Sequence, residues 1–150
     1  MKQAIELARR NVNGSNGGPF GAVVVKDGKV IAEGNNQVTS LQDPTAHAEV
    51  QAIRKACQAL GTFDLSGCEI YSSCEPCPMC LGAIYWARPA RVYFGATRQD
   101  AARAGFDDDL IYSEINVAPE RRKIPMKQIR LDETDSVFSA WNSKEDKIRY

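Results

Sequence analysis

The stretch FGAVVVKDGKVIAEG, residues 20–34, decides the fold. Residues 20–26 are apolar and β-branched, and residues 29–34 repeat this character after a short interruption. The interruption is Asp27-Gly28, and an Asp-Gly pair between two strand-like runs is the strongest short-range signal for a two-residue hairpin turn. The stretch therefore predicts two antiparallel strands at the start of a β-sheet.

Outside this hairpin, predicted helices alternate with predicted strands. A helix is expected over residues 2–12, and it ends at a cluster of turn-forming residues, 13–19. Residues 35–44 read as a polar loop. The next helix is expected to start near Asp43-Pro44-Thr45, a capping side chain beside a proline, and to end at Gly61. Further along, strands are predicted over residues 68–73, 91–96 and 126–131, and helices over residues 77–87, 110–115 and 136–148.

This order of elements predicts one α/β domain over residues 1–150. Helices that alternate with strands cover both faces of a sheet. Two hairpin strands and three later strands make five. We therefore expect a three-layer α/β/α sandwich with a mixed five-stranded sheet.

Composition and charge narrow the class of protein. The chain has 19 Lys and Arg residues against 19 Asp and Glu residues, which favours a small-molecule substrate, and we expect no nucleic-acid partner. The N-terminus lacks the apolar core of a signal peptide, and the longest aliphatic stretch, residues 22–25, is far shorter than the roughly 20 residues that cross a membrane. We expect no membrane partner and a cytoplasmic location. Five cysteines, an odd number, then indicate metal or redox chemistry more than disulfides.

Two short motifs supply candidate metal ligands. Cys77 and Cys80, in Pro-Cys-Pro-Met-Cys, lie three residues apart at a predicted helix start, where they can reach one ion and where the helix dipole favours thiolates. His47, in His-Ala-Glu, would be the third ligand, and three protein ligands leave a zinc coordination position open, as in catalytic sites. Cys74 and Cys77 have the same spacing, but Cys74 precedes Pro76 at a strand end, so we favour Cys77 and Cys80.

Each motif alone has an ordinary explanation. His47 could be a core residue, and a single Cys-x-x-Cys could be a redox dithiol or half of a zinc finger. Together, H-x-E and P-C-x-x-C form the established signature of zinc-dependent nucleobase deaminases, whose glutamate is the general acid and base. Glu49 is therefore the candidate catalytic residue. A non-catalytic, zinc-stabilised binding domain is the alternative from another class.

The motifs at residues 45–49 and 73–80 resemble the cytidine deaminase-like superfamily, and the wider sequence is similar to bacterial guanine deaminases. The similarity runs through residues 17–23, 43–45, 80–88 and 104–108 to the terminal Tyr150, nearly the whole chain. It implies a cytidine deaminase-like fold and hydrolysis of guanine, a small-molecule purine, to xanthine and ammonia. It also implies one Zn²⁺ per subunit and a homodimer whose C-terminal segment is exchanged between subunits.

The same resemblance implies a set of substrate contacts. Asn36 and the backbone amide of Ala48 would hold the base, and Asp108 would accept from its N–H groups. Tyr150 would contribute from the chain end, and Phe20 or Trp86 could wall an apolar pocket. The rival enzymes are tRNA adenosine deaminase and cytosine deaminase, which share the zinc chemistry. Acidic residues 107–109 count against an RNA-binding surface. The residues alone do not distinguish cytosine from guanine as the substrate.

Overall fold

The secondary structure was assigned in a computed structural model that describes residues 1–14, 16–131 and 133–149. The chain forms two compact units, Met1–Asp109 and Leu110–Tyr150. Unit one contains α1 (Lys2–Asn13), β1 (Gly21–Lys26), β2 (Lys29–Asn35), α2 (Val38–Leu41), α3 (Ala48–Leu60), β3 (Cys68–Cys74), α4 (Pro78–Ala87), β4 (Arg91–Ala96) and α5 (Arg98–Arg103). Then follow α6 (Asp109–Ile115), a 3₁₀ turn (Pro119–Arg121) and α7 (Thr134–Ser143).

The predicted hairpin is confirmed. β1 and β2 pair antiparallel, with Lys26 opposite Lys29. Asp27 has φ 50° and Gly28 has φ 74°. Two consecutive residues with positive φ are what a type I′ turn requires, and that turn matches the natural twist of the strands.

The sheet is mixed, as predicted, but one strand fewer is present. Its order is β2-β1-β3-β4, with β1 and β3 antiparallel and β3 and β4 parallel. Among the described residues the sheet has four strands, so the prediction of a fifth strand over residues 126–131 is wrong. The Met126 N–H bonds locally to the Pro119 carbonyl at 3.0 Å, and the Ile129 side chain is 79% exposed. A short segment with a few apolar residues does not make a strand without a neighbouring backbone to pair with.

Helices cover both faces of the sheet, which confirms the three-layer α/β/α architecture. Successive side chains of a strand point to opposite faces. Ala22 and Val24 are buried in one core with residues of α3, β3 and α4. Gly21 faces α1 instead, since a Cβ on it would lie 2.4 Å from the Ala4 carbonyl oxygen. The sheet is therefore packed between α1 on one side and α3 with α4 on the other.

Gly34 lets the start of α3 lie directly against β2. A Cβ at Gly34 would be 2.1 Å from the Ala48 carbonyl oxygen and 2.6 Å from the Ala52 nitrogen. Any larger residue would push the helix away from the sheet. The absence of a side chain here thus sets the position of the first turn of α3, which carries His47 and Glu49.

Helix α3 begins later than the sequence predicted. The Asp43 carboxylate accepts hydrogen bonds from the Thr45 N–H at 2.8 Å and the Thr45 hydroxyl at 2.7 Å. Asp43 therefore stabilises a separate turn, and His47, with extended backbone, becomes the N-cap residue of α3.

Helices α2 and α5 were not predicted, and α7 ends at Ser143 where the predicted helix continued to residue 148. No helix in the described ranges is long and apolar enough to cross a membrane.

Candidate active site

Three potential metal ligands converge where α3 and α4 begin. His47 is the N-cap of α3, Cys77 is the N-cap of α4, and Cys80 lies in the first turn of α4. His47 Nδ1 is 3.6 Å from Cys77 Sγ and 3.5 Å from Cys80 Sγ, and the three ligand atoms all lie within 4.8 Å of one another. Neighbouring ligands of a tetrahedral zinc, with Zn–S about 2.3 Å and Zn–N about 2.0 Å, are about 3.5 Å apart. The spacing of this His/Cys/Cys group therefore fits zinc.

The local sequence explains why the cysteines face this point. Pro78 occupies the first turn of α4, where its missing N–H costs no helical hydrogen bond, and Cys77 precedes it with extended backbone. The hydrogen bond from Cys80, assisted by His47, lowers the pKa of Cys77 to about 4. The same contact with Cys77 and burial raise the pKa of Cys80, and the hydrogen bond to Cys77 raises the pKa of His47. The lowered pKa of Cys77 favours its thiolate form, which is the form that binds metal.

Cys74 is placed elsewhere. Its Sγ contacts the carbonyl oxygen of Thr97 at 3.6 Å, and burial raises its pKa to about 11. Of the two Cys-x-x-Cys pairs, the structure therefore brings Cys77 and Cys80 to His47, and not Cys74 with Cys77.

Glu49 lies beside the His/Cys/Cys group with its two carboxyl oxygens in different surroundings. Oε1 accepts a hydrogen bond from the Ser72 hydroxyl at 2.9 Å, and Oε2 is 3.4 Å from Cys80 Sγ. Only 6% of the residue is exposed, and burial raises the pKa of its carboxyl group. A carboxyl group with a raised pKa can both accept and donate a proton nearer to neutral pH.

Ser72 was missed by the sequence analysis, although a signal was available. On β3, residues 68, 70, 72 and 74 are buried in alternation. Serine is thus a polar residue on the buried face of a strand, where its hydroxyl needs a partner. The pattern predicts that some buried acceptor lies opposite, but it does not identify Glu49.

Asn36 is held so that it offers a hydrogen-bond donor. Its Oδ1 accepts from the backbone N–H groups of Gly18 at 3.1 Å and Val38 at 3.2 Å, whereas its Nδ2 has no partner among the described residues. The Gln37 N–H bonds to the Ala46 carbonyl at 2.9 Å, which places Asn36 beside the segment leading into His47.

Asn11, also missed by the sequence analysis, supports Asn36 from α1. It is buried, and its Nδ2 donates to the carbonyl oxygens of Gly18 at 2.6 Å and Asn36 at 2.8 Å. Its Oδ1 accepts from Asn35 Nδ2 at 2.8 Å. The bonds to Asn36 and Asn35 join residues 25 and 24 positions apart, so no local pattern could have predicted them.

Three further predicted site residues have defined positions. Ala48 is the buried first residue of α3, so its N–H has no partner within the helix. Phe20 makes an edge-to-face contact with Phe106, with ring centroids 4.9 Å apart. Asp108 follows two residues later and is half-buried; burial and the negative charge of Cys77 raise the pKa of its carboxyl group. Because that charge acts on Asp108, the residue lies within electrostatic reach of the His/Cys/Cys group.

Of the remaining two predicted residues, only Trp86 has a described position, and it is not brought to this group. Trp86 is 64% exposed and lies six residues beyond Cys80 on α4, which is about 9 Å along the helix axis. Tyr150 lies outside the described residues. Their contribution to a site stays a prediction.

Comparison with known proteins agrees with this geometry. Residues 1–96 match the family described as the cytidine and deoxycytidylate deaminase zinc-binding region. The chain belongs to this family of zinc-dependent deaminases, as its sequence motifs predicted.

Within the family, the chain is similar over its whole length to guanine deaminase from Bacillus subtilis (strain 168), with 58% identity over 150 residues, covering 100% of this chain and 96% of the relative. The crystal structure of guanine deaminase from Bacillus subtilis superimposes with a TM-score of 0.97, covering 99% of this chain and 95% of that one. A tRNA-specific adenosine deaminase from Aquifex aeolicus (strain VF5) is 49% identical over 129 residues, 84% of this chain and 81% of that protein.

Proposed function

We propose that the protein hydrolyses guanine to xanthine and ammonia in a zinc-dependent reaction. The observation that carries the proposal is the position of the Glu49 carboxyl group, 3.4 Å from Cys80 in the His/Cys/Cys group. The full-length similarity to a guanine deaminase supports the choice of substrate.

His47, Cys77 and Cys80 would hold one zinc ion per subunit, because two sulfurs and one imidazole nitrogen form a donor set that zinc prefers. When bound, zinc supplies the Lewis acidity that makes a water molecule nucleophilic at neutral pH. Glu49 moves the protons: it takes one from the attacking water and delivers it to the ring nitrogen. It then takes the second proton of that water, from the new hydroxyl group on the ring carbon, and delivers it to the departing amino group, which leaves as ammonia while the hydroxyl becomes a carbonyl. The balance is guanine plus water to xanthine plus ammonia.

The binding groups match the edges of guanine. Asn36 Nδ2 and the Ala48 N–H are donors, suited to the carbonyl oxygen or an unprotonated ring nitrogen of the base. Asp108 is an acceptor, suited to a ring N–H. The ring nitrogens of adenosine carry no hydrogen, so Asp108 would face an acceptor with a carboxylate. Phe20 would supply an apolar wall, and Tyr150 would supply a contact from the chain end.

A homodimer with an exchanged C-terminal segment is part of the proposal. In the second unit, described large apolar side chains such as Phe138, Val137 and Ile148 are exposed. A unit this small has little core of its own, and exposed apolar surface is typical of an interface.

A cytoplasmic location is also proposed, since all five cysteines are free thiols, which are usual in a reducing compartment.

The test is to incubate purified, zinc-loaded protein with guanine and to follow xanthine and ammonia. We expect equal amounts of both products, and loss of both when a chelator has removed the metal. Absence of xanthine with the zinc-loaded protein would overturn the proposal. Equal activity before and after complete metal removal would overturn its zinc-dependent part.

A further inference from the structure

Ser72 contacts the candidate proton carrier from the centre of the sheet. It lies on β3 between Ala22 of β1 and Phe94 of β4, and only 1% of the residue is exposed. Its hydroxyl donates to Glu49 Oε1 at 2.9 Å. Both neighbouring strands hold the Ser72 backbone in place, so the hydroxyl is attached to a rigid part of the protein.

The contact makes the two oxygens of Glu49 unequal. Oε1 is directed at β3 and is occupied by Ser72, whereas Oε2 is directed at the His/Cys/Cys group, 3.4 Å from Cys80 Sγ. A carboxyl group that rotated freely could present either oxygen to the substrate. The hydrogen bond from Ser72 removes this freedom.

We propose that Ser72 is a positioning residue for deamination, which keeps Glu49 Oε1 as a fixed acceptor and leaves Oε2 to carry the mobile proton. This inference rests on the proposed function. The Ser72 hydroxyl can donate to a carboxylate oxygen and equally to the carbonyl oxygen of a protonated carboxyl group. It therefore holds Oε1 before and after Glu49 accepts a proton, and the proton of Ser72 itself is never transferred.

A purely structural explanation makes a different prediction. If the hydroxyl only satisfied a buried carboxyl group, its removal would destabilise the fold or weaken zinc binding, and substrate affinity would fall together with turnover. A positioning role acts on the proton-transfer step, so it lowers kcat while KM and zinc content stay unchanged.

The matched variants are Ser72→Thr and Ser72→Val. Both side chains are β-branched and almost equal in volume, so any strain in the buried site is shared, but only threonine keeps the hydroxyl. For each variant, zinc content, melting temperature, kcat and KM for guanine, and the inhibition constant of xanthine are measured.

We expect kcat of Ser72→Val to be about 10- to 100-fold below that of Ser72→Thr, the size of effect produced by a small misplacement of a catalytic group. KM, the xanthine constant and zinc content should agree within about twofold, a difference too small to represent a lost binding contact. Equal kcat values for the two variants would overturn the inference, as would a loss confined to KM or zinc content.

If neither β-branched variant folds, Ser72→Ala against the unmodified protein gives the same comparison without added volume, and unchanged kcat would overturn the inference. The unmodified protein separates the two proposals. If it does not convert guanine, the proposed function fails, whereas if it does and the hydroxyl is irrelevant, only the role of Ser72 fails.

Discussion

Cys80 Sγ lies 3.4 Å from Glu49 Oε2, so the candidate proton carrier contacts the candidate metal group without belonging to it. Metal binding and proton transfer are thus assigned to different side chains. They can be tested separately.

Replacement of Glu49 by glutamine should abolish turnover and leave the metal site intact. Glutamine has nearly the same shape and can still accept from Ser72, but its amide cannot take up a proton at neutral pH. We expect a loss of at least about 100-fold in kcat, the usual contribution of general acid–base catalysis, with unchanged zinc content. Glu6→Gln, on the exposed face of α1, is the control. Near-normal turnover in Glu49→Gln would remove Glu49 from the mechanism.

Replacement of Cys80 by serine should release zinc, whereas replacement of Cys74 should not. Serine is a poor zinc ligand compared with a thiolate, and Cys74 contacts Thr97 outside the His/Cys/Cys group. Zinc per subunit, measured by elemental analysis, should fall from one to near zero in Cys80→Ser only. Loss of zinc in Cys74→Ser with retention in Cys80→Ser would reverse the ligand assignment.

Alkylation of the metal-free protein should depend on pH in a way that distinguishes the cysteines. With a pKa of about 4, Cys77 is mainly a thiolate at every pH above that value. Cys74, with a pKa of about 11, is mainly protonated at every pH below that value. At pH 6 iodoacetamide should therefore modify Cys77 and not Cys74, and added zinc should protect Cys77. The modified residues are identified by peptide mass spectrometry. Modification of Cys77 that begins only above pH 8, as for an ordinary thiol, would contradict the lowered pKa.

Replacement of Asp108 by asparagine should weaken guanine binding. A hydrogen bond to a charged group contributes about 1.5–3 kcal/mol, which corresponds to a rise in KM of roughly 10- to 100-fold. Asp109→Asn is the matched control, since the Asp109 side chain is next to Asp108 in the sequence, is exposed, and pairs with Arg98 at 4.0 Å. Steady-state kinetics with guanine check the prediction. Equal KM values for the two variants would exclude Asp108 as a substrate contact.

Truncation before Tyr150 should eliminate activity while zinc is retained. The proposal gives the terminal residue a contact with substrate, whereas the metal group lies entirely within the first unit. Zinc content, guanine turnover and mass in solution are measured on the same preparation. Unchanged turnover would remove the C-terminal part of the proposal, and a monomeric mass for the unmodified, active protein would remove the dimer.

The features predicted correctly from the sequence are those that depend on residues close together in the chain. The Asp27-Gly28 turn depends on two backbone conformations, and the convergence of Cys77 and Cys80 depends on helical spacing beside a proline. The alternation of predicted helices and strands along the chain was sufficient to predict the three layers of the fold.

The parts that were missed depend on contacts between distant segments. Ser72 and Glu49 are 23 positions apart, and Asn11 and Asn36 are 25 apart, so no sequence window contains either pair. The start of α3 was misplaced because Asp43 was free to stabilise a turn of its own. The prediction of a strand at residues 126–131 was wrong for a related reason, since the residues of a short segment do not identify a pairing partner.

The most direct test of the central claim is a comparison of kcat/KM for ammonia release from guanine, guanosine, cytosine and an adenosine-bearing tRNA stem-loop, with one zinc-loaded preparation. The full-length similarity to a guanine deaminase predicts that guanine is the best substrate, and Asp108 as an acceptor for a ring N–H counts against adenosine. A larger kcat/KM for cytosine or for the RNA would contradict the assignment, even if zinc and Glu49 were both required.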